Sequence, residues 1–154
     1  MIEIRNYKQS DAKALWRLFF NTIRTINIRD YTEAQVKAWA SDTYNPSYWE
    51  QRMNGLSPFV AVKEDVIVGY TDLQKDGLID HFFCHHEYQG QGVGKALMQH
   101  VHEQAKQRAI NKLHSEVSIT ARPFYEHFGF SVISEHSVEI DGQVLKYNRM
   151  EKRI

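Results

Sequence analysis

The stretch Tyr88-Gln89-Gly90-Gln91-Gly92-Val93-Gly94-Lys95-Ala96-Leu97-Met98 constrains this chain most. An apolar run, Leu78 to Cys84, leads into it, and a helical pattern with Val93, Leu97, Val101 and Ala105 on one face leaves it. Three glycines in five positions, at the mouth of a helix, describe a backbone that another group must approach closely. Glycine removes the Cβ that would block the approach and accepts positive φ. The helix behind the loop offers unpaired N–H groups and a partial positive charge, so the natural guest is phosphate or pyrophosphate. A Walker A loop needs glycine and Ser/Thr where this chain has Gln89 and Ala96. A GxGxxG fingerprint needs glycine where it has Lys95. Both fail, and a strand–loop–helix unit rich in glycine remains.

The rest of the chain frames that unit. At 154 residues the sequence is expected to form one domain, 1–154, with no linker, repeat or low-complexity tract. Apolar content of 42% and charged content of 25% are those of a soluble globular protein. Lys plus Arg balance Asp plus Glu at 19 each, so no basic field exists to hold nucleic acid or an anionic membrane. The start, Met1-Ile2-Glu3-Ile4-Arg5, reads as strand rather than signal peptide, and the single cysteine, Cys84, fits a reducing cytoplasm. Both point to a cytoplasmic protein.

Ile2 to Tyr7 alternates as a half-buried strand. Ser10 is expected to cap a helix carrying Leu15, Leu18, Phe19, Thr22, Ile23 and Ile26. Thr32 with Gln35 forms a capping-box pattern before a second helix, and Pro46 to Asn54 adds further helical turns. Phe59–Val62 and Val66–Tyr70 read as a hairpin around Lys63-Glu64-Asp65, and Leu78–Cys84 as a third strand. After the glycine-loop helix come a strand (Leu113–Ser118), a short helix (Thr120–Phe128) and two strands joined by Asp141-Gly142. The fold class is therefore α/β of the α+β type, in the order β-α-α-β-β-β-α-β-α-β-β.

Two motifs in this order, Gln89-x-x-Gly92-x-Gly94 and Ala121-Arg122-Pro123-Phe124-Tyr125-Glu126-His127-Phe128-Gly129-Phe130, lie about 30 residues apart. They resemble the acetyl-CoA pyrophosphate loop and the late signature of the GNAT N-acetyltransferase superfamily, most strongly from Leu78 to Phe130. The resemblance implies a mixed, mostly antiparallel central sheet flanked by helices, whose strands near residues 80 and 115 splay apart to admit the pantetheine arm. It implies acetyl-CoA as co-substrate, held by backbone N–H groups of Gln89, Gly90, Gln91, Gly92, Val93, Gly94 and Lys95 and by the strand at Phe83 and Cys84. Where that family has Val-x-Pro this chain has Cys84-His85-His86, and where it commonly has asparagine this chain has Ser118, whose hydroxyl remains a candidate for the pantetheine.

Tyr125 occupies the place of the family's general acid; a phenol with pKa about 10 is protonated at neutral pH and can return a proton to a thiolate. The base is open. The usual strand glutamate is replaced by Leu78. Asp80 lies two residues on, on the same face by alternation, and His81 on the other. The implied partner is a small-molecule or peptide primary amine, and a homodimer is an open partnership. A CoA-binding sensor of the same fold is the competing reading, favoured by the missing glutamate and opposed by Tyr125.

Other features read as structure. His85 with Glu87 makes no HExxH and His100 and His102 point to different helix faces, so no metal is expected among the eight histidines. Cys84 in a β run reads as a small buried residue. Trp39, Trp49, Tyr31, Tyr44 and Tyr48 concentrate aromatic surface where the resemblance implies the cover of an acceptor cleft.

Overall fold

A computed structural model describes residues 1–154. Strand β1 (Ile2–Asn6) is followed by helices α1 (Ala12–Thr25), α2 (Glu33–Trp39) and α3 (Pro46–Leu56), then by β2 (Phe59–Lys63) and β3 (Val66–Thr71). Next come β4 (Leu78–Ile79), β5 (Phe82–Cys84), α4 (Val93–Gln107), β6 (Lys112–Ser118), α5 (Arg122–His127), β7 (Ser131–Ile140) and β8 (Gln143–Arg153). The class is mixed α and β as expected; the helical turns expected from Pro46 form a full helix, and there is one strand more than the sequence order implied. The added strand arises from a break. The Leu78–Cys84 run is not continuous but stops at Asp80-His81, and its halves join different sheets, β1-β2-β3-β5 and β4-β6-β8-β7.

All pairings are antiparallel except β4 with β6, which run parallel through Leu78↔His114 and Ile79↔Ser115. Beyond Ile79 the chain leaves β6 and joins β3, through Phe82↔Thr71 and Cys84↔Gly69. The two sheets therefore diverge between β5 and β6, the slot anticipated above. No helix is long and apolar enough to cross a membrane.

Helix α4 bridges the sheets. Its Val93 and Leu97 pack with Ala61 and Val68 of the first sheet, and its Met98, Val101 and Ala105 pack with Leu113, Val117 and Met150 of the second. Gly69 lets the helix come this close, since a Cβ there would lie 2.8 Å from Val93 Cγ1. Truncating the fully buried Leu97 to alanine costs about 2–5 kcal/mol in sites of this kind.

The Thr32–Gln35 capping box forms, with the Gln35 N–H donating to Thr32 Oγ1 at 3.1 Å and the Thr32 N–H to Gln35 Oε1 at 2.8 Å. Ser10 does not cap α1. It lies in a 3-10 turn, Gln9–Asp11, that Asp11 organises by accepting the Lys8 N–H and both nitrogens of the Arg5 fork. A carboxylate that satisfies three donors at once displaces a single hydroxyl from the task. Helix α3 starts at Pro46 with Asn45 as its cap, its side chain accepting the Tyr48 N–H.

Candidate active site

The glycine loop is built as the sequence implies. Gly90 and Gly92 take φ of +73° and +85° with open space around them, so glycine is required there for its backbone and not for lack of room. Gly94 is the opposite case, because a Cβ would stand 2.8 Å from Phe124 Cε1. The amide N–H groups of Gln89 through Lys95 find no acceptor in the protein; the first bond of the series is Ala96 N–H to Gly92 C=O. Seven successive free amides exceed the four that any helix start leaves unpaired. The Gln89 side chain faces back, donating to the carbonyls of Cys84 and His85 and pinning the loop to β5. Gln91 accepts from Lys63 Nζ at 3.1 Å, which brings a cation of β2 beside the loop.

A cavity of about 740 Å³ runs from Gln89 along the slot between β5 and β6 and under helices α1 to α3. Along β5 the His85 N–H donates to the Val68 carbonyl, so alternation turns the Phe83 peptide toward Tyr70 on β3 and the Phe82 and Cys84 peptides toward the slot. Of the two residues expected to meet the co-substrate through their backbone, Cys84 turns its peptide to the slot, while Phe83 contributes its ring to the wall. The Cys84 thiol, pushed up to about 12 by burial, stays protonated and inert. Across the slot, Ser118 accepts the Ala121 N–H at 3.1 Å and lines the cavity. The buried Thr120 hydroxyl beside it has no partner and lines the same cavity.

Tyr125 is 3% exposed on the cavity floor. Ser115 Oγ donates to the Ile79 carbonyl at 2.7 Å and so accepts from Tyr125, 3.3 Å away. Burial raises the phenol's pKa, which keeps it protonated.

The strand break brings together residues that sequence reasoning missed. The buried Asp72, just past β3, accepts the N–H groups of Asp80 and His81 and the side-chain amide of Gln74. Its carboxylate replaces the ladder bonds that a continuous strand would have made, so face alternation does not carry through Asp80 and His81. Burial lifts Asp72 to about 6, against the three hydrogen bonds that favour its charge. The His81 ring sits among Phe19, Trp49 and Phe83, and burial lowers it to about 4. Tyr70, fully buried and held protonated, lies 2.9 Å from His81 Nδ1; it is therefore the donor, which assigns the ring proton to Nε2. Asp80 is exposed at the cavity wall and pairs with Arg52 Nη2 of α3 at 2.9 Å.

The aromatic concentration divides. Trp49 is buried, donating its indole N–H to the Ala12 carbonyl at 2.8 Å, and Tyr31 bridges the Lys146 carbonyl and the Ile119 N–H. Trp39 and Tyr48 line the cavity, while Tyr44 stacks on Trp16. His85, His86 and Glu87 bring three donor atoms within 4.8 Å of one another. This set could hold a metal ion, although His85 Nδ1 already accepts the Glu87 N–H.

Of the missed residues, Arg52 had a signal in its spacing, three after Trp49 on a helix opened by Pro46. Asp72, polar at the end of an apolar strand, had a fainter one.

Comparison with known proteins agrees with this architecture. The family model described as the acetyltransferase (GNAT) domain matches residues 27–154. The uncharacterised N-acetyltransferase YafP of Escherichia coli is 28% identical over 92% of this chain and 89% of its own. A GCN5-related N-acetyltransferase from Rhodopseudomonas palustris superposes with a TM-score of 0.93 at 28% identity, over 99% of this chain and 95% of its own. The PaiA N-acetyltransferase of Thermoplasma acidophilum, solved in complex with coenzyme A, is 19% identical with a TM-score of 0.76, over 100% and 99%.

Proposed function

The chain belongs to the GNAT acetyltransferase family and is an acetyl-CoA-dependent acetyltransferase; from that premise we propose that it moves the acetyl group to a primary amine by direct attack, with Tyr125 as general acid and Asp80 as the base. The observation that carries this reading is the run of free amides from Gln89 to Lys95, opening on a cavity whose floor holds a protonated tyrosine.

The residues present suit coenzyme A. Free amides, the N-terminal charge of the 15-residue α4 and nearby Lys63 match a pyrophosphate. The unpartnered Thr120 hydroxyl, with Ser118, offers polar contacts for a pantetheine amide. PaiA, solved with coenzyme A, shares this fold.

The Cys84 N–H, which faces the slot, donates in this scheme to the thioester carbonyl and stabilises the charge that develops on its oxygen. Asp80 draws the proton from the incoming ammonium, directly or through water, before the N–C bond forms. As the C–S bond breaks, Tyr125 gives its proton to the sulfur and regains one from the acylated nitrogen, which sheds its second proton, while the proton taken by Asp80 passes to solvent. His81 is not the base in this scheme, since its one free lone pair is spent on Tyr70. Asp72 fixes the break and so sets where Asp80 stands.

The test is release of free thiol from acetyl-CoA across a library of primary amines, beside the melting temperature with acetyl-CoA added. The reading expects thermal stabilisation and thiol release with at least one amine. Stabilisation with no release from any amine would make the domain a sensor instead.

A further inference from the structure

Resting on the reading above, we infer that the amine acceptor is a free amino acid with an apolar or aromatic side chain, its zwitterion taken by Arg52 and Asp80. The Arg52–Asp80 pair is the observation. It lies on the cavity wall, with the two side chains 44% and 32% exposed, and it is a single contact between Nη2 and Oδ2. Arg52 Nε and Nη1 have no acceptor in the protein, and Asp80 Oδ1 has no donor. An arginine with most of its fork unused beside a cavity is a carboxylate receptor, since the fork matches a carboxylate in two parallel bonds. Asp80 beside it is an ammonium receptor.

The spacing of the two suits one small ligand. The α-ammonium and α-carboxylate of an amino acid share a carbon, which puts nitrogen and carboxyl carbon about 2.5 Å apart. A pair already in contact at 2.9 Å can part slightly and accept both groups side by side. An exposed ion pair contributes little to stability, so a ligand that supplies both opposite charges can displace it. The same geometry gives the ammonium to the residue that must deprotonate it.

The surroundings choose the side chain. Arg52 lies three residues from Trp49, so both come from one face of α3. Trp16, Phe19, Trp49 and Phe83 form a connected set of ring contacts along this wall, with centroids 5.0–5.7 Å apart. His81 within that set is neutral and already paired with Tyr70. An acceptor bearing a charged side chain would meet no partner there, whereas an apolar or aromatic side chain would be enclosed. Lys146, the other cation on the cavity lining, belongs to β8 of the second sheet.

The experiment measures thiol release with phenylalanine, leucine, phenylalaninamide, 2-phenylethylamine, glutamate, spermidine and a short peptide with a free N-terminus. Phenylalanine and leucine are expected to exceed 2-phenylethylamine and the amide in kcat/KM by about 10- to 100-fold, the worth of a charge-assisted contact. In Arg52→Met this ratio should collapse toward one through a rise in KM for the amino acids, with acetyl-CoA affinity unchanged by calorimetry. Arg52→Lys should restore part of it, a point charge replacing a fork. If the amide and the amine are used as well as the amino acids, or glutamate better than phenylalanine, this inference is overturned while the acetyltransferase reading stands. If no amine in the panel releases thiol, that reading falls and takes this inference with it.

Discussion

The two ends of the cavity are made in different ways. At the α4 end, the loop itself offers only backbone amides, and what the sequence supplies there is mostly the removal of side chains at Gly90, Gly92 and Gly94. At the α3 end, the groups are side chains gathered from distant segments: Arg52 onto Asp80 across 28 residues, Tyr70 onto His81 across 11. A backbone site tolerates almost any residue that leaves the path unchanged. A side-chain site changes character with each substitution. One fold can therefore keep its acyl donor fixed while its acceptor varies.

The largest expected effect breaks the first end alone. Gly92→Glu places a side chain at φ +85°, costing about 1–2 kcal/mol, and sets a negative charge among the free amides. It should abolish the thermal shift given by acetyl-CoA. Gly92 is the better site for this test than Gly94, where any Cβ would also displace Phe124. Normal CoA binding by calorimetry in Gly92→Glu would show the loop assignment to be wrong.

Tyr125→Phe comes next and tests the join between the two ends. The ring packing with Phe82 and Phe130 is kept and one hydroxyl is lost. A fall in kcat of ~10² to 10⁴ with CoA affinity unchanged is expected; full activity would leave solvent to protonate the thiolate.

Asp72→Ala should damage only the acceptor end. It leaves the Asp80 and His81 amides without an acceptor in a buried setting, at a cost of about 1–3 kcal/mol each, partly offset by removal of a buried carboxylate. The expected outcome is a lower melting temperature and a raised amine KM, with acetyl-CoA binding intact. Weakened CoA binding would mean that the two ends are not separable.

The smallest effect concerns protons. Asp72 has its pKa raised in the folded protein from 3.8 to about 6, so its contribution to stability is full below pH 4 and is lost as pH rises through 6. His81, lowered from 6.5 to about 4, acts in the opposite sense and removes stability as pH falls from 6.5 to 4. In the parent the two nearly offset one another between pH 4 and 6.5. His81→Gln leaves Asp72 unopposed, and the variant should gain about 1 kcal/mol between pH 7 and pH 5. Chemical denaturation at the two pH values measures it; a parent-like flat response would contradict the assignment of these two groups.

The same division decided what could be read from the sequence. The glycine loop, the short helix of Phe124-Tyr125, the Thr32–Gln35 box and the Glu64-Asp65 hairpin, both of whose turn residues take positive φ, are local patterns whose physics lies within a few residues. The break at Asp80-His81 was invisible, because the group that causes it, Asp72, acts from beyond an intervening turn. Apolar residues on both sides of Asp80-His81 read as one strand when nothing in the run itself says where its hydrogen bonds go. Arg52 escaped for the same reason, since its partner is set by how α3 lies on the sheet. The role of His81 turned on a neighbour's hydroxyl, Tyr70, eleven positions away.

The parallel contact between β4 and β6 ends at Ile79 and Ser115, where a buried hydroxyl also ties the two strands. Two sheets that touch at one end and part at the other behave as the arms of a pair of tongs, with this contact as the pivot. Helix α4 packs on both arms and fixes how far they spread, so the slot keeps its width with no strand pairing across it. Tyr125 is tethered to Ser115 at the pivot itself, so its proton is held where the two arms meet.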